Sequence, residues 1–299
     1  MRPHPGDYRW NPAMTPSETQ ATIAIPAADG RSATAILVIS CDRYADLWPY
    51  FFGCFFEYWP DCPYRLVLGT NRLRYDDPRV ATICIGEDKD YSSNLAAMLE
   101  KIDEEWVIGF VEDILLSAPI DCGRFTRMIN TLQNEGVMHA QLLYKKHSQH
   151  NLLPNYGPAA SGVSELPIGV PYRTALTVGL WRKSALLILL RKGESAWQFE
   201  RHGTLRSFGV SGRFVSVGCP GGEPLFRWEH GVIKGRWTWE AARFIRRRGW
   251  KAGLGRPVQS FWAYLYLQIY SRLRYAVFWL AYKVFGPPCL MKVVFKRAD

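Results

Sequence analysis

Two adjacent carboxylates, Glu112 and Asp113, end the apolar run WVIGFV that begins at Trp106. Such runs, rich in β-branched residues, form buried central strands. The carboxyl end of a central strand is where open α/β sheets bind their ligands. Acids there hold a proton or a divalent cation such as Mg²⁺ or Mn²⁺, a hard ion that takes oxygen ligands and neutralises a departing diphosphate. Neighbouring side chains of a strand point to opposite faces. Asp113 is therefore expected to reach the ion and Glu112 to support it, unless the chain turns there. A solvated acid pair is the competing reading, and sequence alone leaves both open.

Three further groups have the residue types for chemistry. In GESAWQFE (Gly193–Glu200), Glu194 or Glu200 is placed to deprotonate an acceptor hydroxyl, and Trp197 to stack on the apolar face of a sugar ring. Ser195 followed by acids in the first turn is equally a helix start. His230, in the segment WEHG, is a candidate ligand for a metal or phosphate, although a lone histidine is more often structural. Ser40 and Asp42 follow the first strand, where a nucleotide base or ribose would lie. Arg182-Lys183 could meet phosphates, although basic residues on a helix are usually solvated. GCPGG (Gly218–Gly222) lacks the context of a phosphate loop, and His147 and His150 fall in a loop with no assigned role.

The elements that must position these groups follow from periodicity. Strands are predicted at Thr34–Ile39, Tyr64–Leu68, Val80–Ile85, Glu105–Val111, Val137–Leu143 and Tyr172–Val178. Helices are predicted at Tyr44–Tyr58, from a Ser92 or Ser93 cap to Ile102, from an Asp121 cap to Asn134, and from Trp181 to Arg191. Arg213–Val217 and Leu225–Trp228 read as edge strands and Trp239–Arg248 as a short basic helix. The order gives an α/β fold, one mostly parallel sheet flanked by helices. Tyr144–Gly169 reads as a long loop.

With 299 residues, the chain has ample material for a core. Seven cysteines without a CxxC pair argue against a zinc site or a disulfide framework and for reduced thiols in a cytoplasmic protein. Residues 1–33 are expected to be a disordered tail without an export signal. The net charge of +10 is concentrated in residues 241–299, which hold 12 of the 37 Lys and Arg but one acid. That basic segment also carries FWAYLYLQIY and LRYAVFWLAYKVF. It is expected to lie as helix in an anionic membrane interface rather than span it, because Arg272 and Arg274 interrupt the apolar run. Basic residues clustered with Trp and Tyr in a tail fit lipid better than nucleic acid.

Four stretches, Val38–Asn71, Trp106–Leu116, Gly179–Glu200 and His230–Trp237, occur in the order seen in bacterial glycosyltransferases of the GT-A fold encoded with surface-polysaccharide pathways. The chain resembles that family over roughly residues 34–240, and the Gly179–Glu200 block is the most specific part. The resemblance implies a Rossmann-related, GT-A-like sheet, a nucleotide-sugar donor, a divalent metal, and transfer to a hydroxyl of a glycan or lipid-linked acceptor. It implies Ser40, Asp42, Glu112 and Asp113 on the donor side and Gly179, Trp181 and Trp197 on the acceptor side. The catalytic base falls on Glu200 or Glu194, and His230 joins Asp113 at the metal. The family's metal-binding DxD reads Val111-Glu112-Asp113 here, so its first Asp is missing. The absence of an identifiable carboxylate nucleophile favours inversion. A sugar nucleotidyltransferase would show a Gly-rich loop after the first strand, where Ser40-Cys41-Asp42-Arg43 has none. A non-catalytic membrane-surface scaffold of the same fold is the other alternative. The expected location is the cytoplasmic side of a membrane, peripherally bound.

Overall fold

The run TAILVI alternates its side chains between two apolar layers, and this places it at the centre of the sheet. In the computed structural model, residues 33–143, 162–219, 223–250 and 255–285 are described. TAILVI is β1 (Thr34–Ile39), flanked by the parallel β2 (Arg65–Thr70) and β4 (Trp106–Val111), with β3 (Val80–Cys84) outside β2. Beyond β4 the sheet continues through β8 (Gly179–Arg182), β6 (Val137–Gln141), β9 (Arg213–Val217) and β7 (Val163–Glu165). Here β8 and β7 run against the other six strands. The mostly parallel α/β architecture is the one the strand pattern predicts.

Ile36 and Val38 face a layer built on α1 (Trp48–Tyr58) and α3 (Cys122–Asn134). That layer is largely aromatic: Phe51, Phe55, Trp59, Phe110 and Phe125 are all buried and in edge or tilted contact. Ala35 and Leu37 face the other layer, with α2 (Tyr91–Leu99), α4 (Lys183–Leu189) and α5 (Ala196–Arg206). Burying these side chains on both faces of one sheet is the main favourable contribution to folding. The helix starts are fixed by side chains that accept otherwise orphaned backbone N–H groups. Asp121 caps α3 as predicted, and Ser195 with Gln198 forms a capping box on α5.

Four local expectations are corrected. Asp90, not Ser92 or Ser93, caps α2, and Ser92 is buried. Tyr172–Val178 is not a strand. Its backbone leaves the extended region at Tyr172 (φ 58°), and the N–H groups of Thr174 and Leu176 donate to Thr204 and Glu200 of α5 instead of to a ladder. The strand begins at Gly179, so α4 starts at Lys183 rather than Trp181. The expected edge strand at Leu225–Trp228 is displaced to β10 (Trp228–His230), which pairs with β5 (Ile114–Leu116) outside the main sheet. Residues 1–32 of the predicted tail, most of the 144–169 loop with His147 and His150, and residues 220–222 of GCPGG lie outside the described residues.

Gly109 of β4 and Gly179 of β8 stand opposite each other. A Cβ on Gly179 would come 2.9 Å from the His139 ring and 3.1 Å from the Ala140 carbonyl oxygen. Gly179→Ala is therefore expected to destabilise the protein by about 1–3 kcal/mol in urea unfolding, with an unchanged m-value.

Candidate active site

The chain turns where the two acids stand. β4 ends at Val111, Glu112 and Asp113 form the turn, and β5 leaves the sheet. The turn separates the acids: Glu112 is buried, whereas the Asp113 side chain is 22% exposed. β10 then pairs antiparallel with β5, setting His230 opposite Ile114. This brings His230 Nε2 to 3.1 Å from Asp113 Oδ2, across 117 residues of sequence. Two backbone contacts hold the pair. The Gly231 N–H donates to the Asp113 carbonyl at 2.6 Å, and the Thr238 hydroxyl donates to the His230 carbonyl at 2.6 Å. Gly231 has no room for a side chain, since a Cβ would lie 3.0 Å from that same Asp113 oxygen.

Glu112 points into the protein beneath this pair. Burial, reinforced by the Asp113 charge, pushes its pKa up to about 8, against the smaller opposing effects of the Ser40 hydroxyl and Arg256. At neutral pH Glu112 is therefore mostly protonated. Ser40 accepts from the Trp48 indole at 2.8 Å, so it is tied to α1 as well as to Glu112. Cys41 lies within range of the Glu112 and Asp88 charges, and burial is the main reason its pKa is raised. Asp42 is engaged internally: its carboxylate accepts from the N–H groups of Asn71, Arg72 and Leu73, clamping the ends of β1 and β2 together.

Glu200, on α5, has one oxygen accepting from the Leu176 N–H at 2.8 Å. It keeps some contact with solvent, yet protein packs closely enough around the carboxyl to raise its pKa to about 7. Tyr91, at the start of α2, is within range of the charges of both Glu200 and Glu112. Its buried hydroxyl has no hydrogen-bond partner. Tyr91 was not legible as a site residue, because its only sequence signal is its position after a helix cap.

Four sequence candidates stand away from this turn. Glu194 is paired with Arg206 through two bonds of 2.7 and 2.6 Å and with His202 at 3.0 Å, which makes it a brace across α5 rather than a free base. Trp181 is buried and stacked on His139 at 3.6 Å, so it belongs to the core and not to an acceptor surface. Trp197 is 77% exposed on α5, three residues before Glu200. Gly179 lies inside the sheet. Arg256 was not anticipated either: it reaches back from the segment before the last helix to bind Asp46 at 2.6 and 2.7 Å, over the Tyr44 ring, close enough to influence Glu112.

Asp113 and His230 together present a carboxylate oxygen and an imidazole nitrogen, adjacent and both open to solvent. That donor set fits a divalent cation whose other positions are taken by water or ligand oxygens. Among the described residues no group of three or more His, Cys, Asp or Glu forms a metal-holding cluster.

No family model matches the sequence, and no curated protein matches it. Among solved structures, a mannosyltransferase from Pyrobaculum calidifontis in complex with GDP-Man and Mn²⁺ is 14% identical, with 90% of this chain and 81% of that one covered and a TM-score of 0.44. TarS 1-349 of S. aureus is 8% identical over 61% of this chain, with a TM-score of 0.41. This chain covers 57% of the TarS chain, little more than half its length. Glucosyl-3-phosphoglycerate synthase from Mycobacterium tuberculosis, in complex with Mn²⁺ and UDP-glucose, is 12% identical with 73% and 77% covered and a TM-score of 0.41. These values describe a distant resemblance in architecture.

The raised pKa of Glu200 has a thermodynamic consequence. Its folded-state pKa of about 7 exceeds the ordinary 4.5. Folding therefore favours the protonated form, and stability is lost as pH rises from the ordinary value through the folded one. Glu200→Gln is expected to match wild type near pH 4 and to exceed it at pH 8 by up to about 3 kcal/mol, measured by urea unfolding at the two pH values. Equal stability at pH 8 would contradict the enclosure of this carboxyl.

Proposed function

We propose that this protein is a glycosyltransferase of GT-A-like fold, in which residues 34–240 move a sugar from a nucleotide-sugar donor to a hydroxyl of a glycan or lipid-linked acceptor in bacterial surface-polysaccharide synthesis. The observation that carries the reading is the 3.1 Å contact of Asp113 with His230 at the carboxyl end of the central strand β4. A lone acid turn is common. An acid turn joined by an imidazole from a distant ribbon, both facing solvent, suits the recognition of a diphosphate.

Asp113 and His230 would hold a divalent cation, Mg²⁺ or Mn²⁺, which offsets the charge gathering on a leaving nucleoside diphosphate. Ser40 and Asp42 belong to the donor side, where Asp42 keeps the β1 and β2 ends in register for the nucleotide. Glu112 supports Asp113 from below and, mostly protonated, leaves a single negative charge at the turn. Glu200 is the base, and a pKa of about 7 suits that task at neutral pH. The acceptor oxygen attacks the anomeric carbon, the bond from that carbon to the diphosphate oxygen breaks, and the acceptor proton passes to Glu200. This single displacement inverts the anomeric centre. Trp197, exposed beside α5, offers an apolar face to the acceptor sugar.

A screen of nucleotide sugars for donor hydrolysis and transfer, with and without Mn²⁺, tests the reading. Asp113→Asn is expected to lower turnover by about 10²-fold or more while the melting temperature stays near that of wild type. Wild-type turnover in that variant would remove Asp113 from the mechanism. The rate should rise with pH through about 7 as Glu200 loses its proton, and Glu200→Gln should remove this limb together with most of the activity. Absence of any nucleotide-sugar binding in isothermal titration would favour the scaffold alternative.

A further inference from the structure

The last helix, α7 (Phe261–Phe285), is rooted in the body by its first turn. Trp239, which opens α6 (Trp239–Arg247), packs on Phe261 at 5.2 Å and stacks on Tyr264 at 5.5 Å, and the Tyr264 hydroxyl donates to Glu240 at 2.5 Å. Twenty-five residues of helix extend about 37 Å. Along it runs an apolar stripe: Trp262, Tyr266 and Ile269, then eleven residues on Leu273, Val277 and Leu280, with Val284 opening a third repeat. Each of these is between 51% and 74% exposed. Tyr264 projects from the side of the helix opposite Trp262 and Leu280, so the contact with α6 turns the stripe outward.

The spacing of the stripe selects its partner. Steps of four, three and four repeat every eleven residues, about 3.67 per turn, close to the helix's own period. The stripe therefore runs nearly straight, as contact with a flat surface requires. A left-handed coiled coil with a second copy needs a seven-residue repeat, which would carry the seam from Trp262 onto Ala276 and Lys283. A cation edges the stripe: Arg272 is exposed on one flank. On α6, Ala241, Ala242 and Ile245 are buried, whereas Arg243, Arg246 and Arg247 are exposed with no acidic partner among the described residues. No helix among the described residues is long and apolar enough to cross a membrane.

We propose that α6 and α7 form a docking surface for an anionic lipid bilayer, with α7 lying in the plane of the interface, its stripe towards the acyl chains and Arg272 and the α6 cations at the level of the lipid phosphates. Aromatic residues at the stripe's start suit headgroup depth, and long basic side chains reach the phosphates from beside an apolar face. The inference is independent of the proposed enzymatic activity.

The test is co-sedimentation of the full chain with vesicles of phosphatidylcholine alone or mixed with phosphatidylglycerol. Binding is expected to the anionic vesicles, at least about tenfold above the neutral ones, and to weaken with added salt. Leu273→Glu combined with Val277→Glu should reduce it at least about tenfold, with the melting temperature unchanged because both side chains are exposed. Arg246→Ala combined with Arg247→Ala, which leaves α7 untouched, should cost about fivefold per arginine. Equal binding to both vesicle types, or wild-type binding by either variant, overturns the proposal. So does sedimentation velocity showing a dimer that the paired glutamates dissolve without any vesicle binding in the parent, because a second copy would then cover the stripe.

Discussion

The turn at Glu112–Asp113 governs the geometry of everything around it. A straight continuation of β4 would send the two carboxylates to opposite faces of a buried sheet, each needing its own compensation. The turn leaves one carboxyl inside, where burial keeps it mostly protonated, and lifts the other towards solvent. It also releases β5 from the sheet, freeing its edge to pair with β10. That ribbon delivers His230, and the Gly231–Asp113 backbone bond locks the two segments at the position where the imidazole meets the carboxylate.

Around this turn the sheet divides the work. The parallel half, β3-β2-β1-β4, presents loop ends that are stitched together by Asp42 and by the chain of contacts from Trp48 through Ser40 to Glu112. The mixed half begins with the antiparallel β8, whose glycine against Gly109 lets three backbones approach closely. In that half α5 carries Glu200, whose charge reaches Tyr91 as that of Glu112 does. Rigid positioning of Glu200 comes from its bond to the Leu176 N–H and from the Glu194–Arg206 pair, which ties the last residue of its helix to the segment before the helix start. Two acids six residues apart in sequence thus hold different positions: one is paired with an arginine, the other is enclosed without one.

The C-terminal segment contributes inward as well as outward. Arg256 anchors the chain before α7 to Asp46 and to the Arg43 carbonyl, beside the first strand's loop, and its charge is felt at Glu112. A segment whose composition marks it for a surface is therefore tied mechanically to the sheet edge. α6 expresses the same duality, with small apolar residues buried and arginines outside.

The apolar runs by themselves determined the central strands, since a stretch such as TAILVI or WVIGFV has no soluble alternative to a doubly covered sheet. Asp121 likewise determined the start of α3, because capping is a contact between residues three apart. The acid pair, His230 and the carboxyl of Glu200 were recognisable as residue types with suitable chemistry. Their arrangement was decided by tertiary structure alone. No local rule indicates that the chain turns at Glu112, that β10 pairs with β5, or that Trp181 goes inside against His139 while Trp197 stays outside. The same holds for Tyr172–Val178, whose strand-like composition yields to hydrogen bonds offered by α5. Such outcomes depend on which distant groups compete for a backbone N–H or a space in the core, and those competitors are defined only when the whole chain has folded.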